Sequence, residues 1–194
     1  MASGRAGARV LIAEDETIIR LDLRAQLEQL GYVVCGEARD GDEAVELAAR
    51  LAPDVAILDV KMPNVDGIEA TRRILANRSV AIVLLTAHSD RELVERATRA
   101  GISGYLVKPF HPSDLLPAIE TAVARHRELV DLRDQTEGLA EALAARKAIE
   151  RAKGLLMQRE GLSEGEAFAR LRVASQRSGQ PMKTIADAIV AALA

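Results

Sequence analysis

Five residues invite attention because each closes a short apolar run. Glu14 and Asp15 follow the run at 10–13, Asp59 follows 55–58, Thr86 follows 81–85 and Lys108 follows 105–107. If these runs are strands of one open α/β sheet, the residues just past their carboxyl ends line the ligand crevice. Three carboxylates brought to one sheet edge repel one another unless a cation joins them. Hard oxygen ligands in an open, partly wet site suit Mg²⁺. A carboxylate beside such a metal can attack a phosphoryl group and form an acyl phosphate. The metal, the Lys108 ammonium and the Thr86 hydroxyl would then neutralise the three phosphoryl oxygens. The chemistry implied is phosphoryl transfer to a carboxylate.

Placing these residues together takes a particular scaffold. Apolar runs at 10–13, 33–35, 55–58, 81–85 and 105–107 read as strands, and helical patterns fall near 17–30, 41–51, 67–77 and 90–100. Gly31, Gly36, Pro53, Gly101 and Gly104 punctuate the joins. Strands alternating with helices imply a doubly wound, five-stranded parallel sheet covered on both faces, and such strands should be almost wholly apolar, as these are.

A further helix starts after Pro112 with no obvious stop. Leu129, Leu132, Thr136, Leu139 and Leu143 follow the 3-4-3-4 spacing of a coiled-coil seam, with Arg127, Glu128, Asp131, Arg133, Asp134 and Glu137 outside it. The seam is under three heptads, so dimerisation through it would be conditional. The chain then holds three helical segments. The first ends at Gly161, after Ile149, Ala152, Leu155 and Leu156 on one face. Ser163 and Glu166 form a capping box for the second, whose apolar face is Ala167, Leu171 and Ala174 with Phe168 beside it. Gly179 stops that helix, Pro181 is expected at the first helical position of the last, and Ile185, Ile189 and Leu193 form the last helix's buried face.

Composition narrows the class. The chain has 194 residues, one cysteine (Cys35), three histidines without metal spacing and no tryptophan. A lone cysteine fits a reducing cytoplasm and no disulfide framework. No apolar run approaches the roughly 20 residues of a membrane helix, and the N-terminus lacks the apolar core of a signal peptide. Residues 1–125 are net acidic and residues 140–194 net basic, so any polyanion partner belongs at the back.

The front half resembles a known family. AEDE at 13–16, ILDVKMPNVDG at 57–67, LLTA at 84–87 and YLVKPF at 105–110 look like the receiver domain of bacterial two-component response regulators, with its flavodoxin-like fold. The resemblance implies Asp59 as phosphoacceptor and a sensor histidine kinase as donor. It implies Mg²⁺ held by Asp15, Asp59 and the backbone carbonyl of Lys61, with Glu14 acting through water. Thr86 and Lys108 would bind the phosphoryl group, Tyr105 would be the switch that follows Thr86, and the Lys108–Pro109 bond would be cis. Many receivers carry Asp where this chain has Glu14, one methylene longer but still an oxygen ligand. Lys61 and His88, two residues past Asp59 and Thr86, could lie over the phosphoryl group and tune its hydrolysis.

The tail resembles a second family. RKAIERAKGLLMQREGLSEGEAFARLR at 146–172, with Ile185-Ala186 beyond, looks like the ANTAR domain, a small three-helix, RNA-binding output of transcription antitermination regulators. The resemblance implies phosphorylation-promoted homodimers that bind paired RNA hairpins. Arg146, Lys147, Arg151 and Lys153 put basic heads around the first helix. Gly154 either packs closely on another helix or leaves bare backbone for a partner. Lys183 and Thr184 begin the last helix, where a phosphate could sit. With Phe168 the only tail aromatic, base stacking on aromatic platforms is not the expected mode, and two tails on two hairpins would be needed for useful affinity.

The expected division is a disordered tail at 1–8, a receiver at 9–125, a helical coiled-coil linker at 126–145 and a three-helix RNA-binding domain at 146–194. The expected function is a cytoplasmic, phosphorylation-dependent regulator that binds hairpin RNA, with no enzymatic activity beyond its own phosphoryl chemistry. A DNA-binding output through a helix-turn-helix at 163–193 is the alternative, although the segment 176–182 looks long for the tight turn. A protein-binding adaptor is the third reading.

Overall fold

The structure is a computed structural model that describes residues 7–87 and 91–193, and of 91–94 the backbone alone. The first six residues of the expected disordered tail lie outside the described residues, and so does His88. The chain divides into two compact units, Met1–Val130 and Asp131–Ala194.

The first unit alternates strand and helix: β1 (Arg9–Ala13), α1 (Thr17–Gln29), β2 (Val33–Ala38), α2 (Gly41–Leu51), β3 (Val55–Asp59), α3 (Gly67–Asn77), β4 (Ala81–Thr86), α4 (Arg91–Ala100), β5 (Gly104–Val107) and the beginning of α5 (Pro112–Glu160). All four strand pairings are parallel, in the order β2-β1-β3-β4-β5. From β1 the chain moves outward to β2 and then crosses back to β3 on the other side. The carboxyl ends of β1 and β3 therefore flank the point where strand order reverses, where such sheets bind ligands.

Successive strand residues face opposite sides of a sheet, and the core divides accordingly. Leu11, Ala13, Ala56, Leu58, Ile82 and Leu84 face the layer that contains Leu47 of α2, Ile74 of α3 and Ala97 of α4. Val10, Ile12, Val55, Ile57, Val83 and Leu85 face Leu23 and Leu27 of α1 and Leu115 and Ile119 of α5. Both faces are covered, which is why β3 and β4 are buried along their whole length. Helix starts are set locally. Asp40 caps α2 by accepting from the Glu43 N–H at 2.9 Å, and Asp66 caps α3 from the Glu69 N–H at 2.7 Å. The N-cap residue of α1, Glu16, makes no side-chain capping bond.

In the second unit, the end of α5 meets α6 (Glu164–Ser178) and α7 (Met182–Leu193) around Ala152, Leu156, Ala167, Leu171 and Ala186. Ile149, Ile185, Ile189 and Leu193 pack against them as expected. Three of the five buried residues are alanines, which lets these short helices approach closely. Gly161 closes α5 in the left-handed conformation, its N–H on the Met157 carbonyl at 3.1 Å. The Ser163–Glu166 capping box forms in both directions.

Two local expectations change. Helix α6 runs to Ser178, leaving only Gly179–Pro181 as connector, so turn length does not disfavour a helix-turn-helix. Pro181 precedes the first turn of α7, its carbonyl accepting from the Thr184 and Ile185 N–H groups, so Met182 is first in the helix. Between the units α5 is continuous, and Leu129, Leu132, Leu139 and Leu143 on the expected seam are all more than half exposed. No helix among the described residues is long and apolar enough to cross a membrane.

Candidate phosphoacceptor site and output helices

The sheet brings the five chemically suggestive residues to one edge. Carboxylate oxygens of Glu14, Asp15 and Asp59 all lie within 4.8 Å of one another. Glu14 is fully buried, Asp59 nearly so, and Asp15 is open to solvent. Lys108 reaches back across the crevice, its Nζ 2.6 Å from Glu14 Oε2 and 3.1 Å from Asp59 Oδ1. Thr86 is buried at the end of β4, and its carbonyl accepts the Lys108 N–H at 2.7 Å. The Lys108–Pro109 bond is cis.

Electrostatics follow from this crowding. Burial pushes the Glu14 carboxyl above its ordinary value, against the pull of its Lys108 hydrogen bond, and the charge on Asp59 adds to the rise. Burial likewise raises Asp59, again against Lys108. For Lys108, burial works to lower the pKa, but its hydrogen bonds to Glu14 and Asp59 prevail and raise it. One ammonium thus faces three carboxylates and leaves the cluster short of positive charge. The donors are all carboxylate oxygens and one side of the cluster is open, a set that fits a hard divalent cation such as Mg²⁺.

The loop after β3 is held close to this cluster. The Val60 N–H bonds the Leu85 carbonyl at 2.9 Å, and the Gly67 N–H bonds the Val60 carbonyl at 3.0 Å. A Cβ on Gly67 would sit 2.1 Å from the Asp59 carbonyl oxygen, so only glycine lets α3 begin this near the end of β3. Lys61, in that loop, has an exposed side chain. Tyr105 on β5 is 48% exposed. Cys35 is an ordinary strand residue whose thiol donates to the Val10 carbonyl at 3.4 Å.

Sequence reasoning missed Arg20. Its guanidinium is buried, donates to the backbone carbonyl of Glu14 at 2.6 Å and pairs with Glu37 at 3.4 Å. An arginine in the first turns of an amphipathic helix reads as a solvated residue, and a bond to a main-chain carbonyl leaves no complementary residue type to find.

The tail residues separate into two groups. Arg146, Lys147 and Arg151 are exposed, and among the described residues none has a carboxylate partner. Gly154 is exposed, and a methyl group at its Cα would meet nothing within 4 Å, so the close helix packing considered for it does not occur among the described residues. Lys153 differs from the expectation that it offers a free basic head. It is buried, with Nζ 3.1 Å from both Glu150 oxygens and 2.7 Å from Glu164, tying α5 to the first turn of α6. Lys183 pairs with Asp187 at 2.7 Å, and Thr184 is exposed in the first turn of α7. The outer face of α6 adds a shallow groove lined by Ala169, Arg170, Val173, Ala174 and Arg177, with Arg170 paired to Glu160.

Comparison with known proteins agrees with both halves. Residues 10–120 match the response regulator receiver domain family, and residues 137–190 match the ANTAR domain family. The transcriptional regulatory protein PdtaR of Mycobacterium tuberculosis is 51% identical over 185 residues, covering 95% of this chain and 90% of that protein. The chain belongs to the response regulators, with a receiver domain followed by an ANTAR domain. The receiver of this regulator is also 37% identical over 114 residues to the chemotaxis protein CheY of Thermotoga maritima, 58% of this chain and 95% of that one. Among solved structures, the signal receiver domain of a modulated diguanylate cyclase from Desulfovibrio desulfuricans superposes with a TM-score of 0.57 at 38% identity, covering 61% of this chain and 95% of that one. The regulator's five-stranded parallel sheet and helical output are those expected from its sequence.

Proposed function

We propose that this response regulator is switched by phosphorylation of Asp59 and, in that state, binds hairpin RNA as a dimer to promote transcription antitermination. The observation that carries the reading is the joining of the Glu14–Asp15–Asp59–Lys108 cluster to an ANTAR domain in one chain. Asp15, Asp59 and the Lys61 carbonyl would hold Mg²⁺, with Glu14 behind them, and the ion would supply charge neutralisation at the phosphoryl oxygens. An Asp59 oxygen attacks the phosphorus of a phosphohistidine on a sensor kinase. The O–P bond forms as the P–N bond breaks, and the imidazole leaves. Lys108 then exchanges its hold on the carboxylates for a phosphoryl oxygen, and the Thr86 hydroxyl takes another.

The drawing-in of Thr86 and the turning of Tyr105 from its exposed position would carry the change to the receiver surface. The linker at 126–145 would then favour pairing through Leu129, Leu132, Leu139 and Leu143. Two tails would present Arg146, Lys147, Arg151 and the bare backbone at Gly154 to two hairpins, with Lys183 and Thr184 at a phosphate. Lys153 serves this surface by holding α6 in place. No catalytic activity beyond the regulator's own phosphoryl chemistry is required, and partners such as a kinase and RNA fit work in the cytoplasm.

The test is a gel-shift titration with tandem-hairpin RNA and a matched duplex DNA, with and without a small phosphoryl donor and Mg²⁺, beside Asp59→Asn. RNA binding that tightens on phosphorylation and not in Asp59→Asn supports the reading. Preference for the duplex would favour a DNA-binding output, and indifference to both nucleic acids a protein-binding one.

A further inference from the structure

We infer that Arg20 is a positioning residue of the acidic site, acting on the Glu14–Asp15 backbone and through it on the affinity for the divalent cation. The inference rests on the Mg²⁺-dependent phosphoacceptor reading above and goes beyond it by naming a residue outside the ligand set.

Glu14 and Asp15 lie in the short connection between β1 and α1, where regular pairing ends. The Glu14 N–H is still tied to the sheet through the Ala38 carbonyl at 3.1 Å. Its own carbonyl has passed the end of the ladder, and a buried carbonyl needs a donor. Arg20 supplies it at 2.6 Å from the first turns of α1, and the Arg20 side chain is only 8% exposed. This is a charge-assisted bond in a buried setting, the strong kind. Glu37 near the end of β2 pairs with the same guanidinium, and Arg24 holds Glu37 at 2.8 Å from the other side. The peptide joining Glu14 to Asp15 is thus clamped from α1 and β2 together.

That peptide decides where two of the three carboxylates start. Glu14 side-chain oxygens must reach Lys108 on one side and the Glu16 N–H at 3.3 Å on the other. The Asp15 side chain is exposed and makes no hydrogen bond among the described residues, so its position depends on its backbone. Lysine at position 20 could hold one of the two partners. Methionine would fill the space and hold neither. Residues that orient metal ligands without touching the ion typically change metal affinity about 10- to 100-fold when replaced.

The experiment is a Mg²⁺ titration of the full chain, read from amide NMR shifts at residues 14–16 and 59–61, for wild type, Arg20→Met, Arg20→Lys and Glu37→Gln, with thermal unfolding of each. Arg20→Met is expected to raise the Mg²⁺ Kd about 10- to 100-fold, with Arg20→Lys and Glu37→Gln intermediate. Phosphorylation of Asp59 by a small phosphoramidate should slow in Arg20→Met at low Mg²⁺ and recover at saturating Mg²⁺, a loss of affinity and not of rate. A purely structural arginine would lower the melting temperature and leave Kd unchanged, and that result overturns the inference. If Arg20→Met does not fold, Arg20→Gln is judged by the same criterion. A wild-type chain that binds no Mg²⁺ would instead overturn the reading beneath it.

Discussion

Replacing Asp59 by Asn should stabilise the receiver domain when divalent cations are chelated. The substitution keeps the shape and removes one charge. At the 4.8 Å limit of the cluster, two like charges at an effective permittivity of about 20 repel by roughly 3.5 kcal/mol. Glu14 exerts that repulsion in full, while solvent around Asp15 screens its share to about half. Against this, the attraction of Asp59 to Lys108 at 3.1 Å is worth roughly 5 kcal/mol on the same scale. The two nearly cancel, and the balance falls to the desolvation of a largely buried carboxylate, a cost of several kcal/mol in a fully buried site and less here. A net gain of about 1–2 kcal/mol for Asn is the expectation, in the range usual for substitutions that relax a functional site.

The pH window follows from the sign of the shift. Burial raises the folded-state pKa of Asp59, so the penalty is absent below its unfolded value of about 3.9 and appears as pH rises through the folded value. The gain should therefore grow as pH rises through the folded value and vanish at low pH. Both tyrosines, Tyr32 and Tyr105, lie in the first unit and the chain has no tryptophan, so tyrosine fluorescence reports receiver unfolding alone. In EDTA at pH 7.5, Asp59→Asn should melt about 3–10 °C above wild type, given roughly 3–5 °C per kcal/mol for a domain of this size. Added Mg²⁺ should raise the wild-type midpoint, by about 2.7 kcal/mol at a hundredfold excess over Kd, and raise the variant less. A variant that melts at or below wild type in EDTA would refute the electrostatic reasoning.

Gly67→Ala places a methyl 2.1 Å from the Asp59 carbonyl oxygen. It should cost about 1–3 kcal/mol of receiver stability and weaken Mg²⁺ binding, measured by the same fluorescence melt and titration. His126, near Ser79 Oγ at 3.1 Å, has its pKa lowered by burial. Its stabilising contribution is present above the unfolded value of about 6.5 and is lost as pH falls through the folded value. His126→Gln should therefore reduce the fall in melting temperature between pH 7.5 and pH 5. Lys153→Met removes the tie to Glu150 and Glu164 and should speed amide exchange in the first turns of α6, whereas Lys153→Arg should largely preserve protection there. Leu132→Glu with Leu139→Glu puts charge on the exposed seam and should keep the phosphorylated chain monomeric in light-scattering measurements while leaving Asp59 phosphorylation unchanged.

The receiver site was legible in the sequence because parallel strands translate chain position into place. A residue that ends a doubly buried apolar run must emerge at the carboxyl edge, and Glu14, Asp59, Thr86 and Lys108 all do. Interactions that need tertiary geometry were not legible. Arg20 answers a main-chain carbonyl, and the Lys153 tie to Glu164 crosses a turn whose angle no local pattern sets. That second case changes how the tail's charge is read. Counted along the sequence, the tail carries a modest positive excess spread over nine basic residues. In the fold, the carboxylates are spent on particular cations: Lys153 meets Glu150 and Glu164, Arg170 meets Glu160, and Lys183 meets Asp187. Arg146, Lys147, Arg151, Arg159, Arg172 and Arg177 have no such partner among the described residues. The field outside the tail is then concentrated where those six stand, with three of them inside two turns of α5 next to the open backbone of Gly154. A small net charge is thus compatible with a strongly polarised surface, and salt dependence of RNA binding should track the unpaired α5 cations and not the tail's net charge.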